Sequence, residues 1–126
     1  MSKTILSVDD SRMVHMVVAK TLKPYDVELL TASNGEEGVK LALDKMPDLV
    51  LLDATMPIMN GIEALEELKN TPETKEIPVV MLSADCSQDN MDQAMKIGAL
   101  KFISKPFTAE KLLKGLAPFI ELTARA

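Results

Sequence analysis

Asp48-Leu49-Val50-Leu51-Leu52-Asp53 sets four consecutive apolar residues between two acids. A strand with one wet face alternates apolar and polar side chains, whereas a strand covered on both faces has no polar position to spare. The stretch therefore reads as a central parallel strand, Asp48–Leu52, closed by Asp53. Pro78–Ser83, with Val79-Val80-Met81-Leu82, has the same character. Three further apolar runs are Thr4–Val8, Val27–Ala32 and Leu100–Ile103. Glu28 and Thr31 in the second run, and Lys101 in the fifth, mark those two as sheet edges. Five strands with such centres and edges fit a doubly wound α/β sheet in the order 2-1-3-4-5. In that order the ligand crevice lies at the carboxyl ends of strands one and three.

The segments between the strands have helical periodicity. Val14, Val17, Val18 and Leu22 fall on one face. Val39, Ala42 and Leu43 follow the same rule, as do Ile62, Leu65 and Leu68, then Met91, Ala94 and Met95. Lys111–Leu116 supplies Leu112, Leu113 and Leu116. Asn34-Gly35 breaks the chain after the second strand, and Pro47 ends the second helix. Gly98 stands where a helix C-terminus favours positive φ, and Pro118 ends or kinks the last helix near Ala117. Gly38 lies inside the second helix at a cost of about 1 kcal/mol relative to alanine, with no local reason for it. Residues 1–126 read as one domain without repeat, linker or effector domain.

Composition narrows the function. Nearly half of the residues are apolar (47%) and 26% are charged, an ordinary globular balance. The formal net charge of −5 and the scattered lysines and arginines offer no basic stripe for nucleic acid. No apolar run approaches the roughly 20 residues needed to span a bilayer. The one cysteine, Cys86, has no intrachain partner for a disulfide. A cytoplasmic, monomeric protein without membrane contact is the expectation.

Asp9-Asp10 closes the first strand and Asp53 the third, so three carboxylates converge on one rim of the sheet. Carboxylates about 4 Å apart repel by roughly 4 kcal/mol at an effective dielectric of 20. Such a cluster calls for raised pKa values or a bound cation, and hard oxygen donors suit Mg²⁺. Strand four ends at Ser83-Ala84-Asp85 and strand five leads into Ser104-Lys105-Pro106. A hydroxyl and an ammonium thus face the same rim, a pair suited to binding an anion beside a metal. Taken singly, an aspartate, serine or lysine in such a loop is usually solvated. An X-Pro bond is cis in only about 5% of folded cases, so Pro106 by itself implies trans.

Several motifs occur together and in order: Val8-Asp9-Asp10-Ser11, Asp53-Ala54-Thr55-Met56-Pro57-Ile58-Met59-Asn60-Gly61, Leu82-Ser83-Ala84 and Lys105-Pro106-Phe107. With Asn34-Gly35-Glu36-Glu37, Pro47-Asp48 and Gly98-Ala99, they make the whole chain resemble the receiver domain of bacterial response regulators. The nearest architecture is that of CheY-like single-domain regulators, a flavodoxin-like (βα)₅ fold. The resemblance implies that Asp53 is a phosphoacceptor fed by a sensor histidine kinase or phosphotransfer protein. It implies Mg²⁺ held by Asp9, Asp10, Asp53 and the backbone carbonyl of Thr55. Lys105 would pair with the phosphoryl group and Ser83 would hydrogen-bond to it. Ser83 and Phe102 would form the switch, and the Lys105-Pro106 bond would be cis. A downstream target would dock on the face of the fourth helix, fifth strand and fifth helix, in chemotaxis or related signalling. Such a protein is no dedicated enzyme, although it catalyses its own phosphorylation and dephosphorylation.

The sequence departs from the chemotaxis regulators at Phe102, where they carry tyrosine. Thr55 and Asp85 occupy positions that tune acyl-phosphate lifetime in the family. A phosphatase of the haloacid-dehalogenase type would need an acid where Thr55 stands. A flavodoxin would need a Ser/Thr/Gly loop where Asp9-Asp10-Ser11-Arg12 would repel the FMN phosphate. His15, a conceivable phosphodonor, is expected to be exposed on the first helix opposite Val14 and Val18. Met13, Met16, Met91 and Met95 could form an adaptable partner surface.

Overall fold

A computed structural model describes residues 3–54, 60–84 and 87–124. Along them run β1 (Lys3–Val8), α1 (Arg12–Leu22), β2 (Val27–Ala32), α2 (Gly35–Lys45), β3 (Leu49–Asp53), α3 (Gly61–Asn70), β4 (Val79–Ser83), α4 (Gln88–Ile97), β5 (Lys101–Ser104) and α5 (Ala109–Leu116). The strands pair in the order β2-β1-β3-β4-β5, all parallel, as their compositions imply. Strand limits shift by one residue in places. β4 opens at Val79 because Pro78 has no N–H for the ladder, although its carbonyl still accepts from Val50 at 2.9 Å. Leu100, assigned from sequence to the fifth strand, precedes β5 and is exposed.

The two-residue period of the strands divides the core between the sheet's faces. Leu6, Val8, Val50, Leu52, Val79 and Met81 pack on one side with Val39, Ala42, Ile62, Leu65, Leu68 and Ala94, from α2, α3 and α4. Ile5, Leu49, Leu51, Val80, Leu82 and Ile103 pack on the other with Val18, Leu22, Leu112 and Leu116, from α1 and α5. Val17, Leu43 and Met95 correct the periodicity: each was grouped with an apolar face and each is exposed. They sit at the margins of stripes only about 100° wide.

Each helix begins with a side-chain cap. Ser11, Asn34, Asn60, Ser87 and Thr108 each accept from the backbone N–H three residues on, satisfying a donor that the helix leaves open. Gly38 now has its reason. A Cβ there would lie 2.7 Å from Val8 Cγ2 and 2.8 Å from Cγ1, so α2 can rest this close to β1 only with glycine. α2 stops at Lys45, and Met46 caps it at φ 47° before Pro47. Gly98 caps α4 at φ 138°, as the sequence implied. Beyond α5 the chain turns back toward β2, where Asp26 N–H donates to Thr123 O at 2.7 Å and Ile120 is buried. Among the described residues no helix is long and apolar enough to cross a membrane.

Candidate functional site

The strand order makes β1 and β3 neighbours, and their carboxyl ends carry the acids. One carboxylate oxygen from each of Asp9, Asp10 and Asp53 lies within 4.8 Å of the others. Asp9 is 1% exposed and Asp53 5%, while Asp10 faces solvent. Two hydrogen bonds fix Asp9. Its Oδ1 accepts from Ser11 N–H at 2.9 Å, within the turn where Ser11 also caps α1. Its Oδ2 accepts from Lys105 Nζ at 2.7 Å. The same ammonium is 3.3 Å from Asp53 Oδ2, so a lysine beyond β5 spans to both central strands.

Charge explains why these groups can share a buried rim. Burial alone would pull the Lys105 ammonium below its ordinary pKa. The hydrogen bond to Asp9 and the charges of Asp53 and Asp9 outweigh that pull, and the group is held above 10.5. Three carboxylates and one ammonium leave a formal charge of −2, which is what a divalent cation cancels. The donors are all carboxylate oxygens, hard ligands of the kind Mg²⁺ takes. The residues present therefore fit that ion.

Backbone packing holds Asp53 from behind. A Cβ on Gly61 would fall 1.8 Å from the Asp53 carbonyl oxygen, and Gly61 N–H donates to Ala54 O at 3.0 Å. Only glycine lets the start of α3 fold back this tightly on the end of β3. Asn60 and Glu63 lock that start with a reciprocal capping box.

The other sequence-derived positions fall as follows. Ser83 ends β4 fully buried, beside β3 on the same rim, and its carbonyl accepts from Lys105 N–H at 2.9 Å. Phe102 is half-buried on β5, packed against the core that α4 covers. The Lys105-Pro106 bond is cis, as the resemblance implied and against the general rarity of that isomer. Thr55, Asp85 and Cys86 lie outside the described residues, as do residues 56–59. Met13 and Met16 are exposed on α1, and Met91 is half-buried while Met95 is exposed on α4.

His15 is a correction. It was expected to be exposed on the outer face of α1, yet it is half-buried with both ring nitrogens engaged, by Ser7 Oγ and the Asp9 carbonyl. Helical periodicity carried no sign of this, because both partners lie on and just after β1.

Residues 5–117 match the family model described as the response regulator receiver domain. The chain is 40% identical over 114 residues to the chemotaxis protein CheY of Listeria monocytogenes, covering 89% of this chain and 93% of that protein. It is 36% identical over 121 residues to the phosphate regulon transcriptional regulatory protein PhoB of Pseudomonas aeruginosa, covering 96% of this chain. It spans only about half (53%) of that relative's length. One chain of a solved structure described as the CheX-CheY-BeF₃-Mg²⁺ complex from Borrelia burgdorferi superposes with a TM-score of 0.87 at 29% identity, covering 94% of this chain and 90% of that chain. Receiver domains are signalling phosphoacceptors of two-component systems, with an acidic pocket that binds Mg²⁺. The fold, the acidic rim and these matches together make the chain a member of the response regulator receiver family.

Proposed function

We propose that Asp53 accepts a phosphoryl group from a phosphohistidine on a sensor kinase or phosphotransfer protein, and that the chain works as a stand-alone receiver. The observation that carries this reading is the buried Asp53 carboxylate, set beside Lys105 and within 4.8 Å of two further carboxylates. Asp9, Asp10, Asp53 and the Thr55 carbonyl would hold Mg²⁺, whose chemistry is to neutralise charge on phosphoryl oxygens. Lys105 supplies a second positive charge at Asp53. Phosphoryl transfer passes through a loose transition state, so positioning and charge neutralisation account for most of the catalysis. Burial of Asp9 and Asp53 shields those two carboxylates from bulk water and strengthens both effects there.

Phosphorylation enlarges the group at the end of β3 and adds acceptor oxygens. Ser83, buried on the adjacent strand, supplies a hydroxyl to bond to them. Its shift opens room for the half-buried Phe102 to turn inward, a packing switch with two discrete states. Phe102 has no ring hydroxyl, so the readout is a change in apolar surface. It adjoins a groove lined by Met91, Lys101, Lys111 and Lys114, between α4 and α5. That basic, partly apolar face suits an acidic downstream partner, in chemotaxis or related signalling.

The test needs no cognate kinase. With phosphoramidate or acetyl phosphate and Mg²⁺, the protein gains one acid-stable, base-labile phosphoryl group. Asp53→Asn abolishes the gain; undiminished labelling of that variant places the acceptor elsewhere.

A further inference from the structure

The chain's one histidine stands directly behind the acidic rim. Successive side chains alternate across a strand, so Ser7 and Asp9 project to the same side of the sheet, the side that α1 covers. His15, on the second turn of α1, meets both. Nε2 is 2.8 Å from the Asp9 carbonyl oxygen and Nδ1 is 3.1 Å from Ser7 Oγ. A carbonyl oxygen can only accept, so Nε2 carries a proton. In the neutral ring Nδ1 then accepts from the Ser7 hydroxyl.

We infer that His15 is a positioning residue for the acidic rim, fixing the Asp9-Asp10 peptide plane so that the Asp10 carboxylate is aimed beside Asp9 before any ligand arrives. This rests on the phosphoacceptor reading of the site. The Asp9 side chain already has two anchors of its own, Ser11 N–H and Lys105 Nζ. Asp10 is exposed, and the direction in which its side chain leaves the chain is set by the backbone. The carbonyl that His15 grips belongs to the peptide group joining the two acids. Ser7 is 1% exposed and lies within paired β1, so the ring braces one carbonyl against a rigid strand rather than against a loop. Outer-shell contacts of this kind govern how well a metal's ligands are pre-arranged.

Three readouts test the brace: Mg²⁺ affinity by calorimetry, phosphoryl uptake from phosphoramidate, and the ring's long-range ¹⁵N spectrum without metal. The spectrum should show Nε2 as the protonated nitrogen. His15→Ala should weaken Mg²⁺ binding roughly tenfold, as losing an outer-shell partner does. His15→Gln, whose amide Nε2 can reach the same carbonyl, should recover most of that loss. Mg²⁺ binding in His15→Ala equal to wild type overturns the inference, as does a ring protonated only at Nδ1. A glutamine variant as weak as the alanine one also overturns it, by reducing His15 to packing. If the wild-type protein takes up neither Mg²⁺ nor phosphoryl, the phosphoacceptor reading itself has failed and the inference falls with it.

Discussion

Replacing Asp10 by asparagine should make the metal-free protein more stable and the magnesium-loaded protein less so. Asp10 is nearly isosteric with asparagine and exposed, so packing barely changes; what changes is one charge. Its carboxylate lies within 4.8 Å of those of Asp9 and Asp53. At 4.8 Å a like-charged pair repels by about 0.9 kcal/mol in water and about 3.5 kcal/mol at an effective dielectric of 20. The solvent-facing position of Asp10 favours the lower figure, giving about 2 kcal/mol for two pairs. Lys105, bonded to Asp9 and 3.3 Å from Asp53, is a positive charge near the cluster and offsets part of that by attraction. A net gain below about 2 kcal/mol remains for Asp10→Asn without metal. Mg²⁺ reverses the order. At a hundred times its Kd it stabilises the wild type by about 2.7 kcal/mol, while the variant, short of one ligand charge, gains much less. Urea unfolding followed by circular dichroism, with EDTA and then with Mg²⁺, should show the two stability curves exchange rank. Destabilisation of Asp10→Asn in EDTA would refute the charge argument, since it would mean that Asp10 is held in place by attraction.

Gly38→Ala should destabilise by about 1–2 kcal/mol in urea unfolding, because the strain of a Cβ 2.7 Å from Val8 exceeds the gain of about 1 kcal/mol in helix propensity. A stabilised variant would contradict the close approach of α2 to β1. Met46→Gly should raise stability by about 0.5–1 kcal/mol, since φ 47° strains any residue with a Cβ; an unchanged or lower urea midpoint would contradict that. Lys105 has its pKa raised, so the stability it contributes is complete below the ordinary lysine value of 10.5 and is lost as pH climbs through the folded value. In metal-free buffer the stability difference between wild type and Lys105→Met should therefore stay level from about pH 7 to about pH 10, then narrow. Narrowing that is already complete by about pH 9 would contradict the assignment.

The strand order was legible because composition reports burial directly: Leu49 to Leu52 have no polar position, while Glu28 and Lys101 face water. The acidic rim followed, since the order alone makes the ends of β1 and β3 adjacent. Helix faces were legible at their centres and not at their edges, where Val17, Leu43 and Met95 proved exposed. The caps of α2 and α3 went unread, although Asn60-x-x-Glu63 has the spacing of an N-cap and its reciprocal partner and Asn34 stands three residues before the N–H that it accepts from. His15, Gly38 and the return of Thr123 to Asp26 were not legible, for one reason. Each answers to a partner on another element, and no local period carries tertiary distance. The motif around Asp53 identified Gly61 as part of a pattern; its contact with the Asp53 carbonyl supplies the physical cause.

The central claim is that Asp9, Asp10 and Asp53 share one divalent ion beside Lys105. Mn²⁺ takes the same hard oxygen ligands as Mg²⁺ and scatters anomalously, so crystals grown with it report the site directly. One strong anomalous peak, within bonding distance of the Asp53 carboxylate and flanked by the Asp9 and Asp10 side chains, is the result expected. A peak elsewhere on the surface, with the three carboxylates bare, would contradict it.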